Sequence, residues 1–489
     1  MWIKIVFSLI YGLLLVSVLV SIIEDNGGSG RKFAWMMIII ILPVLGFVLY
    51  LLFGINQRHH RIFNKRHKRF TDLLAREVDA DTDRRLSDEG AMEEILPKYR
   101  PLARMLSAGT YLLPRKGNQV EYIVSGQRKY ELLLEDLKNA RESIHMEYFH
   151  FGMDRGSKAI RDMLLQKARE GVKVRFINEN FANLPILPSY YDKMKKAGVD
   201  VVKFTNPRRH FIDLITKLNY RNHRKIVVID NRIGYTGGMN INDHYFLQWR
   251  DTHLRLTGEV VSSLQFVFLD SWITAGGTLD KPLSYYLQSG PHCELVAGKT
   301  KALPLLRDKI VQVAADEPDV PLPLLRLSYE WALYNARDYF YVQSPYFTPP
   351  EPVLDALKSA AASGIDVRVM LPEKVDTLVM RPANKAYYKE CLEAGIKLYE
   401  KQGVFIHSKT FVSDDYLSMV GTTNIDDRSF SLDYEDNVYL YDRECALCTK
   451  EIFMEDMKLC REITLEEVLA WPWYRRFFQK LIRLFDPQL

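Results

Sequence analysis

The stretches NHRKIVVIDNRIGYTGGMN, from Asn222, and IHSKTFVSDDYLSMVGTTN, from Ile406, share one pattern: His, then Lys at +2, Asp at +7, Gly at +14 and Asn at +17. At ordinary residue usage, a five-position match of this kind arises by chance in roughly one chain in ten thousand of this length. Two copies therefore mean duplication, and a duplicated chain folds as two like units. The flanking segments repeat in the same order. NARESIHMEYFHF (139–151) matches NARDYFYVQSPYF (335–347), AREGVKVRFI (168–177) matches AASGIDVRVML (361–371), and KAGVDVVKF (196–204) matches EAGIKLYEK (393–401).

Each unit reads strand, helix, strand, helix, strand, hairpin. Strands joined through helices predict an α/β fold, a tandem duplication with a mainly parallel sheet and helices on its faces. The first unit is expected over 108–305. The second covers 306–489 and ends in WPWYRRFFQKLIRLFDPQL, whose aromatic and basic residues at helical spacing fit either an interfacial helix or a last helix packed on the body.

The first 57 residues differ in kind. Ile5 to Ile23 and Phe33 to Ile55 are uncharged runs, each long enough to cross a bilayer as a helix, and EDNGGSGRK joins them. A two-helix transmembrane hairpin is expected over 1–57. A basic stretch, NQRHHRIFNKRHKRF, opens a juxtamembrane connector over 58–107. The positive-inside bias then places the catalytic body on the cytoplasmic side of the cell membrane, and the same cations suit anionic lipid headgroups. A net charge of +5 is mild for a nucleic-acid binder, and no nucleic acid is expected as a partner. Five scattered cysteines, Cys445 and Cys448 among them, suggest free thiols rather than disulfides or a zinc site.

A converging His, Lys and Asn make a poor core and a good anion site. Imidazole can attack phosphorus or carry a proton near neutral pH. Lysine and Asn offer charge and donors to a phosphoryl transition state. Alternation along a strand puts His223 with Lys225, and His407 with Lys409, on one face. Asp230 and Asp414 complete the motifs but fall near hairpin turns on the far side, where they would hold loops. An acid stands at +28 from each His, Asp251 in the first half and Glu435 in the second, placed to orient an imidazole. Transesterification of a phosphodiester needs two such histidines, one to attack and one to move protons. No metal or other cofactor is required.

The doubled H-x-K-x4-D, with G-x-x-N downstream, resembles the phospholipase D superfamily. WMMIIIILPVLGFVLYLLFG, MEYFHF, LNYRNHRKIVVID, VQSPYFTPP and FIHSKTFVSDD together look like its bacterial cardiolipin synthases along essentially the whole chain. The resemblance implies that the two motifs meet across a pseudo-twofold interface in one site, and that phosphatidylglycerol is both donor and acceptor. It implies a phosphohistidine intermediate, with His223 as nucleophile and His407 as general acid and base. Asn240 and Asn424 would be added phosphate donors. GGMN in the first copy stands against GTTN in the second, so Gly238 faces Thr422 in the alignment, a difference suited to unequal donor and acceptor binding. Hydrolysis to phosphatidic acid, transfer to serine or another alcohol, and a nuclease activity are the alternatives on the same scaffold. Homo-oligomerisation is left open by the sequence.

Overall fold

The computed structural model describes residues 12–13, 15–23, 29–53, 90–183, 188–204, 220–288, 293–295, 303–318, 320, 322–483 and 486. Eight strands belong to the first half: β1 (Arg115–Ile123), β2 (Ser143–Tyr148), β3 (Lys173–Asn178), β4 (Asp200–Lys203), β5 (Arg221–Asn222), β6 (Lys225–Ile229), β7 (Ile233–Gly237) and β8 (His253–Thr257). The second half supplies β9 (Leu306–Asp316), β10 (Tyr339–Gln343), β11 (Phe347–Thr348), β12 (Asp366–Pro372), β13 (Lys397–Lys401), β14 (Thr410–Ser413), β15 (Leu417–Gly421), β16 (Ile425–Asp426), β17 (Asp433–Tyr441) and β18 (Cys460–Ile463).

One sheet runs β18-β13-β12-β10-β14-β15-β17-β9-β1-β8-β7-β6-β2-β3-β4. Read outward from the β9–β1 pair, the two halves have the same strand order, so the duplication seen in the motifs is also a pseudo-twofold of the sheet. Along that path only β2-β3-β4 and β10-β12-β13 are parallel, and the other ladders are antiparallel. The expected mainly parallel sheet is therefore corrected to a mixed one. Helical crossovers such as Arg155–Arg169 and Glu351–Ala362 return the chain for parallel pairing. The motif hairpins and the dyad pair reverse it.

Local chemistry explains the elements. Asp154 accepts from the Ser157 amide to start the helix Arg155–Arg169, which buries Ile160 and Leu164. Gly171, at φ +93°, ends that crossover. The helix Val260–Thr274 is buried on almost every face because it lies against strands of both halves. Gly90–Glu94 and Arg100–Thr110 are helical, and Ile95, Leu102 and Leu106 sit in the core of the second half, next to Leu325 and Tyr329.

The N-terminal stretch departs from the expected hairpin of long spans. Its second apolar run forms two helices, Ser29–Ile41 and Pro43–Phe53, broken at Leu42. Pro43 lacks an amide hydrogen and disfavours helical geometry at Leu42, which accounts for the break. The two pieces turn back on each other, with the Trp35 and Tyr50 rings edge to face at 5.3 Å. Val18 and Ile22 pack against Ile39 and Tyr50. Among the described residues, no helix is long and apolar enough to cross a membrane. The basic stretch 56–70 and most of the segment 206–223, the latter read as a lipid-facing entrance for its mixed apolar and basic residues, lie outside the described residues.

Candidate active site

Each motif histidine stands just ahead of a strand, His223 before β6 and His407 before β14, and not within it. Each is fixed from across the dyad. The His223 amide donates to the Tyr434 carbonyl at 2.9 Å, and the His407 amide to the Arg250 carbonyl at 2.7 Å. The next residue along in each case is the acid at +28. His223 Nδ1 lies 2.9 and 3.1 Å from the two Glu435 oxygens, and His407 Nδ1 lies 2.9 Å from Asp251 Oδ2. The pairing is crossed: each half supplies the carboxylate for the other half's imidazole. With Nδ1–H donating to a carboxylate, Nε2 is the nitrogen left for chemistry.

The lysines anchor on the histidine backbones. Lys225 Nζ donates to the His223 carbonyl at 2.6 Å, and Lys409 Nζ to the His407 carbonyl at 2.7 Å. Lys409 Nζ is also 2.8 Å from His407 Nδ1 and 3.1 Å from Nε2. Since Nδ1 carries the proton given to Asp251, Nε2 is the ring acceptor for that ammonium.

Burial and shared cations set the protonation states. Burial first, then Lys225, Lys409 and Arg428, holds the His223 imidazole well below the ordinary histidine range. Burial, Lys409, Lys225 and His223 do the same to His407. That each imidazole feels both lysines marks one shared site. Burial lowers Lys225 to about 8 and Lys409 to about 7. It raises Asp251 to about 6 and Glu435 to about 7. A phosphodiester entering here adds the negative charge that would keep both ammoniums protonated and lift both imidazoles.

The remaining motif residues divide. Gly238 nests the Asp251 carboxylate so closely that a Cβ would lie 2.2 Å from Oδ1. Thr422 lies beside Glu435 but exchanges its hydroxyl hydrogen bonds with the Asp436 backbone, at 3.1 and 2.9 Å. The Thr423 hydroxyl donates to Asn437 Oδ1 at 3.0 Å. Thr422 thus braces the backbone of β17 and Thr423 one of its side chains. Asn240 accepts from the His150 amide at 3.1 Å and donates to the Tyr245 hydroxyl at 2.8 Å. Asn424 donates to Ser429 Oγ at 3.2 Å.

Asp230 and Asp414 are not brought to the centre. They sit at the far ends of the hairpins, at φ +51° and +52°. Asp230 accepts from the amides of Arg141, Glu142 and Ser143 at 2.7–2.9 Å. Asp414 accepts from Arg337, Asp338 and Tyr339 and pairs with Lys98 at 2.7 Å. Cys445 and Cys448 are buried in the helix Arg443–Met457, and burial pushes both thiols up.

Spacing alone does not find several neighbours. Arg224, fully buried, donates to the Glu435 and Asp316 carbonyls at 3.3 and 3.1 Å and to Ser271 Oγ at 3.0 Å. It ties β17 and β9 to the helix Val260–Thr274. The His407 ring is walled by Tyr245, Trp249, Phe405 and Tyr346, with centroids at 5.3, 5.6, 5.8 and 6.3 Å. His223 meets Phe149 at 4.9 Å. The Tyr245 hydroxyl lies 3.5 Å from both His407 nitrogens. Its counterpart five residues after the second Asn is Ser429, and this substitution was visible in the aligned repeats.

Comparison with known proteins agrees with this geometry. The family described as "Cardiolipin synthase, PLD-like domain" matches residues 133–272 and 331–457, and "Phospholipase D-nuclease N-terminal" matches 12–54. The chain is 34% identical to the cardiolipin synthase of Halalkalibacterium halodurans, covering 100% of this chain and 95% of that protein. It is 33% identical to the major cardiolipin synthase ClsA of Bacillus subtilis, over 99% of each. The crystal structure of a phosphatidylserine synthase from Haemophilus influenzae shares the fold, with a TM-score of 0.58 at 14% identity, over 80% of this chain and 100% of that one. With the matched domain present in both halves and relatives aligned end to end, the chain belongs to the bacterial cardiolipin synthases of the phospholipase D superfamily.

Proposed function

We propose that the protein is a phosphatidyltransferase that joins two phosphatidylglycerol molecules into cardiolipin and glycerol by two displacements at one phosphorus. The observation that carries this reading is the crossed pair of Nδ1–carboxylate contacts, which turns two Nε2 atoms into the reactive groups of one cationic pocket. In the first displacement His223 Nε2 attacks the phosphorus of the donor lipid, and the P–O bond to glycerol breaks as His407 protonates the leaving alkoxide. In the second, His407 takes the proton from the acceptor's glycerol hydroxyl, whose oxygen attacks phosphorus as the P–N bond breaks. Lys225 and Lys409 stabilise the charge on the phosphoryl oxygens. Asn240 and Asn424 each keep a second amide hydrogen for those oxygens. Asp251 and Glu435 position the imidazoles. The repeats are assigned to 108–305 and 306–489.

Purified protein incubated with phosphatidylglycerol alone should release glycerol and form cardiolipin in equal amounts. Phosphatidic acid, or phosphatidylserine on adding serine, in place of cardiolipin would overturn the acceptor assignment. His223→Ala and His407→Ala should each abolish turnover, and radiolabelled phospholipid should remain covalently trapped on His407→Ala alone.

The anchor is read as two membrane crossings, with the body on the cytoplasmic side. The uncharged runs 5–23 and 33–55 support it, as does the basic stretch that follows them. The break at Leu42 makes a re-entrant loop the competing geometry. Labelling Gly28→Cys with a membrane-impermeant maleimide from outside whole cells decides between them, since only two crossings expose that residue outside.

A further inference from the structure

The helix Trp473–Ile482 has two opposite faces. Gln479 and Ile482 are buried, and Arg483, just beyond, ion-pairs with Glu390 while its guanidinium stacks 4.2 Å from the Tyr387 ring. The Tyr387 hydroxyl donates to the buried Asp486. The helix is thus fastened to the body through one face. On the other face Trp473, Tyr474, Phe477, Phe478 and Leu481 are exposed, Trp473 by 73% and Phe477 by 63%. Leu378, at 97% exposure, and Val379 add to the uncovered apolar surface of the body just ahead of the neighbouring helix Met380–Lys385. Several large apolar side chains facing water on one element are a cost that a soluble surface avoids.

Between these two helices lies a pocket of about 270 Å³ lined by Arg381, Pro382, Lys385, Arg475, Phe478 and Gln479. Its charge is one-sided. Lys385 is neutralised by Glu400 at 2.7 Å, whereas Arg381 and Arg475 make no ion pair among the described residues. Arg475 stacks at 3.9 Å on the Trp471 ring, which holds its guanidinium at the pocket wall. Two free guanidiniums beside an aromatic ridge fit a phosphate group whose acyl chains continue into the same apolar phase that takes the ridge.

We propose that this pocket is a docking site for an anionic phospholipid of the bilayer surface, distinct from the reaction centre, with Trp473, Tyr474, Phe477 and Phe478 seated in the interface. It also positions one wall of the reaction centre. Asn384 of the docking helix accepts from the Phe347 amide at 2.8 Å and donates to the Pro345 carbonyl at 3.1 Å. The residue between them, Tyr346, is part of the wall around His407. Docking therefore holds the aromatic side of the reaction centre toward the lipid phase. The proposal deepens the membrane-enzyme reading above and rests on it only for the presence of a bilayer.

The test uses the full chain reconstituted in phosphatidylcholine vesicles, with or without phosphatidylserine, carrying a benzophenone amino acid in place of Phe477. Irradiation should give lipid adducts, with phosphatidylserine captured well beyond its share of the bilayer. Arg381→Gln and Arg475→Gln should each lower that excess by about five-fold, the effect of one interfacial cation. In turnover the double variant should raise the KM for phosphatidylglycerol and leave kcat in place. No adduct at position 477, or adducts that mirror bilayer composition in parent and variant alike, overturns the proposal. Capture needs no turnover, so a protein that docks but forms no cardiolipin would refute the synthase reading alone.

Discussion

Asp251→Asn and Glu435→Gln keep size and reach but remove the charge that fixes Nδ1–H on the paired ring. Each should lower kcat about 10²–10⁴-fold, because the wrong tautomer puts the proton on the nitrogen that must react. Nitrogen-15 spectra of histidine-labelled protein check the crossing: Glu435→Gln should change the His223 tautomer and leave His407 unchanged. The acids were legible in the sequence from their +28 spacing. Their partners were not, because spacing along a chain carries no information on which half's strand end lies beside which imidazole. The halves differ at Gly238 against Thr422, whose hydroxyl is engaged by the Asp436 backbone, and also at Tyr245, beside His407, against Ser429. Lys409 permits a prediction with a defined sign. Burial lowers it to about 7, so between that pH and the ordinary lysine value near 10.5 the folded chain holds fewer protons than the unfolded one. Stability contributed at this residue therefore rises with pH across that window. In urea titrations, the wild type should gain on Lys409→Met from pH 7 to 10, and a flat difference would contradict it.

Among the elements, the two motif hairpins turn on residue pairs that are both left-handed, Asp230–Asn231 and Asp414–Asp415, with φ from +51° to +53°. Such pairs match the right-handed twist of the flanking strands, and Asp and Asn tolerate the conformation better than most residues. The Asp carboxylates do more than fill the turn, since each accepts from successive amides at the start of the neighbouring strand, β2 or β10. Asp230→Ala and Asp414→Ala should each cost about 1–3 kcal/mol, since the amides that each carboxylate gathers, the half-buried ones of Ser143 and Tyr339 among them, lose a charged acceptor. Thermal melts should then fall by several degrees, while kcat of the folded fraction is retained. A matching loss of kcat at unchanged melting temperature would instead give these residues a part in the chemistry. The hairpins were readable because apolar runs flank a short polar turn. The sense of the whole sheet is not readable in the sequence because helix-linked strands describe only its outer parts. The inner ladders come from hairpins and from β1 against β9, a pairing between strands far apart in sequence.

For the whole molecule, the dyad makes the two halves parts of one folding unit. β1 pairs with β9 and β5 with β17, so strands of each half have the other half as neighbour. Ile95, Leu102 and Leu106, which precede the first repeat, complete the core of the second. Arg224 crosses from the first motif to the carbonyls of Asp316 and Glu435. The duplication was evident in the sequence, but the strand pairing between the halves was not, because a repeat pattern records what each unit contains and not what it lacks. Physically, neither half can satisfy its central strand edge alone, the first half cannot satisfy its buried Arg224 alone, and neither holds a complete histidine–carboxylate pair. A chain ending just before Leu306 and a second chain beginning there should therefore each be insoluble and inactive when expressed singly. Co-expressed, they should associate and recover transfer, because the contacts that close the site are non-covalent. Combining a His223→Ala first chain with a wild-type second chain should abolish that recovery, and turnover from either chain alone would refute the single shared centre.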